Sequence, residues 1–187
     1  LAVRGEKEFK NKGLTYCATC DAPLFSGKDV AVIGGGNSAL DAAIQLIKIA
    51  DKISIINIAA ELTGDRIMQE IVKANPKVTV LNNAQVAAVL GDKMVNAIKI
   101  KREGKEQLLA VSGVFVEIGL ISNSEFAQDV EKNELGEIRV DSYNKTNIPG
   151  IFAAGDVSDV PEKQIVIAAG EGSKAALSVF KYLIYNS

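Results

Sequence analysis

The segment Asp29–Ala39, which reads DVAVIGGGNSA, decides the fold predicted for this 187-residue chain. Its first part, Asp29–Ile33, is a short β-branched run of the kind that forms a buried parallel strand. Three glycines follow at once, and apolar residues then recur at helical spacing from Ala39 to Ala50. A strand, a glycine turn and a helix in this order predict the first part of a βαβ unit.

The same alternation continues towards the C-terminus. A second strand is predicted at Ile53–Asn57, a helix at Asp65–Ala74 and a third strand at Val78–Leu81. The helix ends before Asn75-Pro76 because a residue that precedes proline disfavours the helical backbone conformation. Together these segments predict a βαβαβ mononucleotide-binding half with right-handed crossovers.

A different pattern covers Ala84–Val111. Short alternating segments there are divided by Gly91-Asp92 and by Glu103-Gly104-Lys105, which are hairpin signals. We therefore predict a small antiparallel insert, with strands at residues 85–90, 95–101 and 107–111.

Beyond the insert, Gly113–Ile118 returns to the buried-strand pattern. A second unit is predicted to begin near Gly119–Asn123. Its strands are expected at Ile138–Val140 and Ile151–Ala154, and its closing helix from about Lys163 to Tyr185.

Composition and charge exclude several classes of partner. Apolar residues make up 48% of the chain, which is enough for a hydrophobic core. The net charge of −2 gives no basic surface for nucleic acid or anionic lipid. No apolar run approaches the ~20 residues that cross a bilayer, and the first residues do not resemble a signal peptide, so we expect a cytoplasmic protein.

The chain contains no histidine, and this absence excludes several kinds of site. A Ser-His-Asp hydrolase, a Cys-His protease and a histidine-ligated metal site all need an imidazole. Zinc bound by cysteine alone needs four thiolates, whereas the chain has two cysteines, so a zinc site would require two chains. We expect no metal site.

The glycine turn has the form of a dinucleotide site. In the pattern Gly34-x-Gly36-x-x-Ala39, the first glycine permits a tight turn and the second lets a pyrophosphate approach the backbone. The small third residue lets helix and strand pack, and the helix N-terminus at Asn37 and Ser38 offers N–H groups to the anion. A glycine turn kept for packing alone, or a site for another adenine ligand, would have the same pattern.

The choice between NAD and NADP is expected at the end of the second strand, where the chain has Asn57 and, further on, Glu61. The loop offers no arginine cluster for a 2′-phosphate, and Arg66 lies in the predicted helix, where we expect it to face solvent. Asn57 or Glu61 could make a weak ribose contact, so NADH is favoured over NADPH. Loss of tight nucleotide binding would leave the same pattern.

The two cysteines of the chain, Cys17 and Cys20, are separated by two residues. In a reducing compartment such a pair is more often catalytic, redox-sensing or metal-bound than a structural staple. Thiolate is the attacking form, and Asp21 adjoins Cys20, so Asp21 is the leading acid/base candidate for the departing thiol. The alternative is an ordinary turn carboxylate before Pro23.

Three motifs carry a family resemblance. The chain contains, in this order, YCATCD at Tyr16–Asp21, VAVIGGGNSA at Val30–Ala39 and IPGIFAAGD at Ile148–Asp156. Together they resemble the low-molecular-weight thioredoxin reductases and the related flavoprotein subunit of alkyl hydroperoxide reductase. The likeness runs over essentially the whole chain, and QIVIAAGEG at Gln164–Gly172 is most similar to the hydroperoxide reductase version.

This resemblance implies that electrons pass from NAD(P)H to FAD, then to the Cys17–Cys20 disulfide, and finally to a thioredoxin-like or peroxiredoxin-system protein. Asp21 would be the nearby acid, and the family habit suggests a homodimer. Residues matched to the cofactor side are Asn57 and Gly119, then Gly155 and Asp156 beside the flavin ribityl and phosphate region, and Lys163, Gln164 and Ile165 near the isoalloxazine.

The resemblance also implies an α/β fold with two domains. Residues 1–119 would form a Rossmann-like pyridine-nucleotide domain that carries the cysteine pair and the antiparallel insert. Residues 120–187 would form the C-terminal part of a FAD-binding domain. The family's own FAD-binding glycine fingerprint is not in this sequence, so we expect a fragment of a longer reductase that is inactive alone. The alternatives are a non-catalytic nucleotide-binding or redox-sensing module, a subunit completed by another chain, and a reductase variant that no longer uses NADPH.

Overall fold

A five-stranded parallel sheet is the framework of the first half of the molecule. The computed structural model describes residues 1–186 and divides into two units, Leu1–Gly119 and Leu120–Ser187. In chain order the first unit contains α1 (Glu6–Phe9), β1 (Leu14–Thr15), α2 (Ala18–Asp21), a 3₁₀ turn (Ala22–Phe25), β2 (Asp29–Ile33), α3 (Asn37–Ile47), β3 (Lys52–Ile56), α4 (Arg66–Ala74), β4 (Val78–Leu81), β5 (Ala84–Gly91), β6 (Val95–Arg102), β7 (Lys105–Ala110) and β8 (Gly113–Val116).

Strand β2 lies at the centre of the parallel sheet, whose order is β1-β8-β2-β3-β4. Its side chains are buried on both faces. Val30 and Val32 pack in a core that includes α3, whereas Ala31 and Ile33 pack in a second core with residues of the antiparallel sheet. Two buried faces explain why the strand is a continuous apolar run rather than an alternating one. The predicted α/β fold with a parallel sheet is confirmed.

The insert predicted between Ala84 and Val111 is a three-stranded antiparallel sheet in the order β5-β6-β7. Its third strand begins two residues before the predicted start because the last hairpin turn is tighter than the sequence indicated. Glu103 and Gly104 both have positive φ, at 52° and 76°, so two residues suffice for the turn. Lys105, expected in the turn, therefore pairs within the sheet.

Helix α3 differs from the prediction at both ends, since it begins at Asn37 and ends at Ile47 rather than covering residues 39–50. The apolar spacing continues past its end because Ala50 still packs in the core. Lys77 closes this end of the helix: its Nζ donates to the carbonyl oxygens of Ile47 at 3.2 Å and Ala50 at 2.8 Å. These bonds satisfy carbonyls that have no partner within the helix.

The described part of the second unit contains helix α5 (Ile165–Asn186) and no strand longer than an isolated bridge. The strands predicted at Ile138–Val140 and Ile151–Ala154 are therefore wrong. Glycine turns at Gly150 and Gly155, with φ of 86° and 78°, bracket the second of these segments, so the chain reverses before a ladder can extend.

Helix α5 packs on this irregular region through a few specific contacts. The side chain of Asn144 is fully buried and donates to the carbonyl oxygen of Ala153 at 3.0 Å and to Glu171 Oε2 at 2.8 Å. The Phe152 ring meets Tyr182 edge-on, with 6.0 Å between ring centroids. Among residues 1–186, no helix combines the length and the hydrophobicity that crossing a membrane requires.

The core beneath α3 gives a first prediction. Leu46 is fully buried (0% exposed), whereas Leu108 on β7 is 65% exposed. Leu46→Ala is expected to lower the free energy of unfolding by about 2–5 kcal/mol, because the surrounding core cannot close the cavity that the change leaves. Leu108→Ala, the matched control, should change it by about 0.5 kcal/mol or less. Urea unfolding followed by circular dichroism measures both, and equal losses would contradict this account of the core.

Candidate functional site

A cavity of about 590 Å³ lies at the carboxyl ends of strands β2, β3 and β8. In an open α/β sheet, ligands bind at this edge, where the strand order reverses. Here the reversal lies between β2 and β8. The residues of the strand ends and of the loops that follow them line the cavity, and they include Ile33, Gly34, Gly35, Gly36, Asn37, Ser38, Asn57, Ile58, Thr63, Glu117, Ile118 and Gly119.

Most of the cofactor residues predicted in the first unit meet in this cavity, namely Gly34, Gly36, Asn37, Ser38, Asn57 and Gly119. Ala39 is placed differently. Its side chain is fully buried in the core and lies 3.0 Å from where a Cβ on Gly34 would be. Ala39 therefore brings helix and strand close together rather than lining the cavity.

The glycine turn passes too close to its neighbours for side chains. Gly34 has a φ of 139°, and a Cβ there would lie 2.2 Å from the carbonyl oxygen of Glu117. A Cβ on Gly35 would lie 2.4 Å from Asn57 Oδ1. A larger residue at Gly34 would require the backbone to move, and one at Gly35 would displace the Asn57 side chain from its hydrogen bonds. The first two glycines are thus required by the packing of the turn itself.

Gly36 has a different reason to be glycine. A Cβ there would meet only Thr63 Oγ1, at 3.9 Å, so the space beside it is open. Gly36 is also the N-cap of α3, and no side chain there caps the first turn of the helix. The N–H groups at this end lack partners within the helix, and the first two helical residues, Asn37 and Ser38, line the cavity. An anion such as a pyrophosphate fits this arrangement.

Asn57 is buried in the cavity wall, with 3% of its surface exposed. Its Nδ2 donates to the carbonyl oxygens of Ala59 at 3.2 Å and Glu61 at 2.9 Å, and to Asn82 Oδ1 at 2.9 Å. The amide therefore fixes the loop after β3. Arg66 has a 91% exposed side chain and pairs with Glu70, so it faces solvent as predicted.

The two cysteines form a disulfide at the start of α2, with their Cα atoms 5.3 Å apart. Cys17 is half-buried and Cys20 is exposed. Thr15, the last residue of β1, connects this turn to Asp21. Its hydroxyl donates to Asp21 Oδ2 and accepts the Cys17 N–H at 3.2 Å. The sheet edge thus positions the carboxylate of Asp21 beside the disulfide turn, through a threonine that the sequence pattern did not indicate.

Glu117 is a second residue that the sequence analysis missed. It follows β8, is half-buried, and lines the cavity. Burial raises its pKa to about 7; the like charge of Asp41 acts in the same direction, and a hydrogen bond from the Ala18 N–H opposes it. Glu117 thus lines the cavity, and its carboxyl group contacts the disulfide turn, because Ala18 follows Cys17. The available signal was an acid directly after the apolar run Gly113–Val116.

The second unit has its own smaller cavity, of about 350 Å³. Its lining includes the predicted residues Asp156 and Lys163, together with Leu120, Ile121, Ser122, Asn123, Leu135, Glu137 and Val157. Lys163 Nζ lies 2.8 Å from Glu137 Oε1 and donates to the Ser158 carbonyl oxygen at 2.5 Å. The bond from Lys163 holds the pKa of Glu137 below its usual value. Asp156 is exposed and follows the positive-φ Gly155.

The other two residues predicted near the flavin, Gln164 and Ile165, lie outside this lining. Gln164 directly precedes α5, and Ile165 is the first residue of the helix, with 90% of its surface exposed. The second unit therefore brings Asp156 and Lys163 together in one cavity and leaves Ile165 on the surface.

The known proteins similar to this chain are named as dehydrogenases or reductases. The "NADH dehydrogenase" of Bacillus subtilis (strain 168) is 50% identical over 187 residues, covering 98% of this chain and 37% of that protein. In Staphylococcus aureus (strain MRSA252), a protein named as a component of alkyl hydroperoxide reductase is 46% identical over 189 residues, covering 100% of this chain and 37% of that protein. The chain thus spans little more than a third of these curated relatives.

Among solved structures, thioredoxin reductase from Streptococcus pyogenes MGAS5005 matches with a TM-score of 0.93 and 34% identity, over 99% of this chain and 62% of that one. The resemblance drawn from the three sequence motifs is confirmed. A family model described as "Pyridine nucleotide-disulphide oxidoreductase" matches residues 1–172, which is most of the chain. With a glycine-turn cavity and a disulfide in the same unit, this chain belongs to the pyridine nucleotide-disulphide oxidoreductase family.

Proposed function

We propose that this chain is part of a FAD-dependent disulfide reductase that moves electrons from NADH through FAD to Cys17–Cys20 and then to a thioredoxin-like or peroxiredoxin-system protein. The observation that carries the proposal is that one unit contains both a disulfide and a cavity suited to a dinucleotide. A partly exposed disulfide and a glycine-turn cavity lie on the same parallel sheet. A structural disulfide would need neither exposure nor a neighbouring dinucleotide site.

In this proposal the first cavity binds the dinucleotide. The open space at Gly36 and the N–H groups of Asn37 and Ser38 would hold the pyrophosphate. The loop fixed by Asn57 would form the wall on the adenosine side. Since this wall presents no arginine cluster to a 2′-phosphate, we infer that NADH binds more tightly than NADPH.

The second unit would bind part of the flavin. Its cavity combines the exposed carboxylate of Asp156 with the short polar side chains of Ser122 and Asn123. Such groups suit the hydroxyls of a ribityl chain, which both donate and accept hydrogen bonds. When bound, FAD supplies the carrier that takes hydride from nicotinamide and delivers electrons to a disulfide. Lys163, paired with Glu137, would be a fixed hydrogen-bond donor in the same cavity.

Helix α5 supports the view that more polypeptide completes the flavin site. The helix exposes large apolar side chains, with Leu177, Phe180 and Leu183 between 59% and 65% exposed. An apolar face of this kind is typical of a surface that another part of a protein covers. That cover would come from the same polypeptide or from a second chain. Without it, we expect no turnover of NADH by the 187-residue chain.

The disulfide chemistry itself needs only residues of the first unit. After reduction, a thiolate of the pair would attack one sulfur of the partner's disulfide and release the other as a thiol. The second cysteine of the pair would then attack the mixed disulfide, which restores Cys17–Cys20 and leaves the partner as a dithiol. Asp21, positioned by Thr15, would exchange the proton with the departing sulfur.

Nucleotide binding tests the first cavity. Gly36→Ala is expected to weaken NADH binding by roughly tenfold or more, because the new methyl group occupies the open space at the N-terminus of α3 and displaces the phosphate from its donors. The fold should be kept, since φ and ψ at Gly36 (−90° and −171°) suit alanine. NADH fluorescence titration of the 187-residue chain measures the effect. Gly172→Ala in α5, with open space around it, is the matched control and should leave binding unchanged.

Thiol–disulfide exchange tests the second half of the proposal. The chain reduced with dithiothreitol and freed of it should reduce an oxidised thioredoxin, and Asp21→Asn should slow this by about 100-fold through loss of proton transfer. Acid quenching, thiol alkylation and mass spectrometry follow the reaction. Asp92→Asn removes an exposed carboxylate from a turn of the antiparallel sheet and should keep the wild-type rate. If both variants exchange equally fast, Asp21 has no role in proton transfer.

A further inference from the structure

Glu117 lies in the wall of the dinucleotide cavity, and the electron path proposed above gives it no task. Its backbone is fixed by the sheet. The Glu117 N–H donates to the carbonyl oxygen of Ile33 at 2.8 Å. The carbonyl oxygen of Glu117 lies directly beside the turn at Gly34. The Glu117 backbone therefore has a fixed place beside the glycine turn, and the carboxyl group is held by the hydrogen bond that it accepts from the Ala18 N–H.

The strand order indicates which half of a dinucleotide would meet Glu117. The pyrophosphate belongs at the start of α3, directly after β2, and the ribose of the adenosine half is recognised after the next strand, β3. The other half must then extend across the reversal point to β8, which neighbours β2 on its opposite side. Glu117 is the residue that follows β8, so it would face the nicotinamide half.

The surroundings of Glu117 allow its carboxyl group to change charge near neutral pH. On α3, Asp41 adds a like charge, and burial acts in the same direction. On α2, Ala18 supplies an N–H, and Asp21 is engaged with Thr15 of β1. The last residues of β2 and β8, Ile33 and Val116, are both apolar.

We propose that Glu117 distinguishes NAD⁺ from NADH by responding to the charge of the nicotinamide ring. The inference rests on the dinucleotide site proposed above. The ring of NAD⁺ carries a positive charge and that of NADH carries none. Binding of NAD⁺ to the neutral carboxyl form would release one proton to solvent and leave a carboxylate opposite the cationic ring. Binding of NADH would leave the proton on Glu117.

The proposal fixes the sign of the pH dependence. Below the pKa of Glu117, which is about 7, NAD⁺ must displace a proton to gain its ion pair, so its affinity is lower. As the pH rises through this value the carboxylate is already present, and NAD⁺ binds more tightly. NADH gains nothing from the ionised form, so its affinity does not rise.

Calorimetric titration of the 187-residue chain with each nucleotide tests this inference. Between about pH 6 and pH 8, the Kd for NAD⁺ should fall roughly tenfold, because the ionised fraction of a carboxyl group with a pKa of about 7 rises by that factor, while the Kd for NADH stays within about twofold. Near pH 7, repeating the NAD⁺ titration in two buffers of different ionisation enthalpy should show release of about half a proton. NADH should release none.

Three variants distinguish the effect of the Glu117 charge from an effect on the fold. Glu117→Gln should abolish the pH dependence of NAD⁺ binding, yet its amide oxygen can still accept the Ala18 N–H. Asp41→Asn removes the like charge, so the transition should move to lower pH. Asp92→Asn changes the net charge equally at an exposed turn, and its profile should match the wild type.

Two results would overturn the inference in different ways. If NAD⁺ and NADH show the same pH dependence in the wild type, or if Glu117→Gln keeps the NAD⁺ dependence, Glu117 does not discriminate the two forms and the dinucleotide site stands. If neither nucleotide binds at any pH, the proposed dinucleotide site falls, and this inference falls with it.

Discussion

Backbone pairing between β2 and β8 places Ile33 opposite Val116, and both strands end at that point. One residue further, the Glu117 amide still bonds the Ile33 carbonyl, at 2.8 Å, while Gly34 turns away beside the Glu117 carbonyl oxygen. These backbone contacts between the ends of β2 and β8 position both the start of α3 and the wall of the cavity. On its other edge β8 pairs with β1, which leads into the disulfide turn. The positions of both candidate reaction sites therefore depend on β8.

Much of this arrangement could be predicted from local sequence. The run Asp29–Ile33 and its glycines specify a strand and a turn because buried strands and tight turns each demand particular residue types. The second unit was harder to predict. Its apolar segments around Ile138 and Phe152 have the composition of strands, yet the chain there packs through single bridges and a buried Asn144 side chain. In such regions, apolar composition indicates that a segment is buried but does not indicate that it pairs with another strand.

In the candidate site, too, some residues could be predicted from local sequence and others could not. The glycine positions were visible because backbone geometry requires glycine there. Thr15 and Glu117 were not, because each acquires its role only when β8 brings distant segments together. The sequence indicated Asn57 as a contact for the ribose. In the structure its amide group instead holds the loop after β3. Side-chain roles that depend on long-range pairing leave little trace in a single sequence.

The disulfide turn is attached to the sheet by β1, which is two residues long and makes two residue pairs with β8. Of the two, Leu14 is fully buried, while Thr15 bonds the turn that follows. Elements with so little pairing open locally at a free-energy cost well below that of global unfolding. The disulfide turn can thus move while the four longer strands of the parallel sheet keep their register. The sheet acts as a rigid frame with one compliant edge, and the Cys17–Cys20 disulfide is located at that edge.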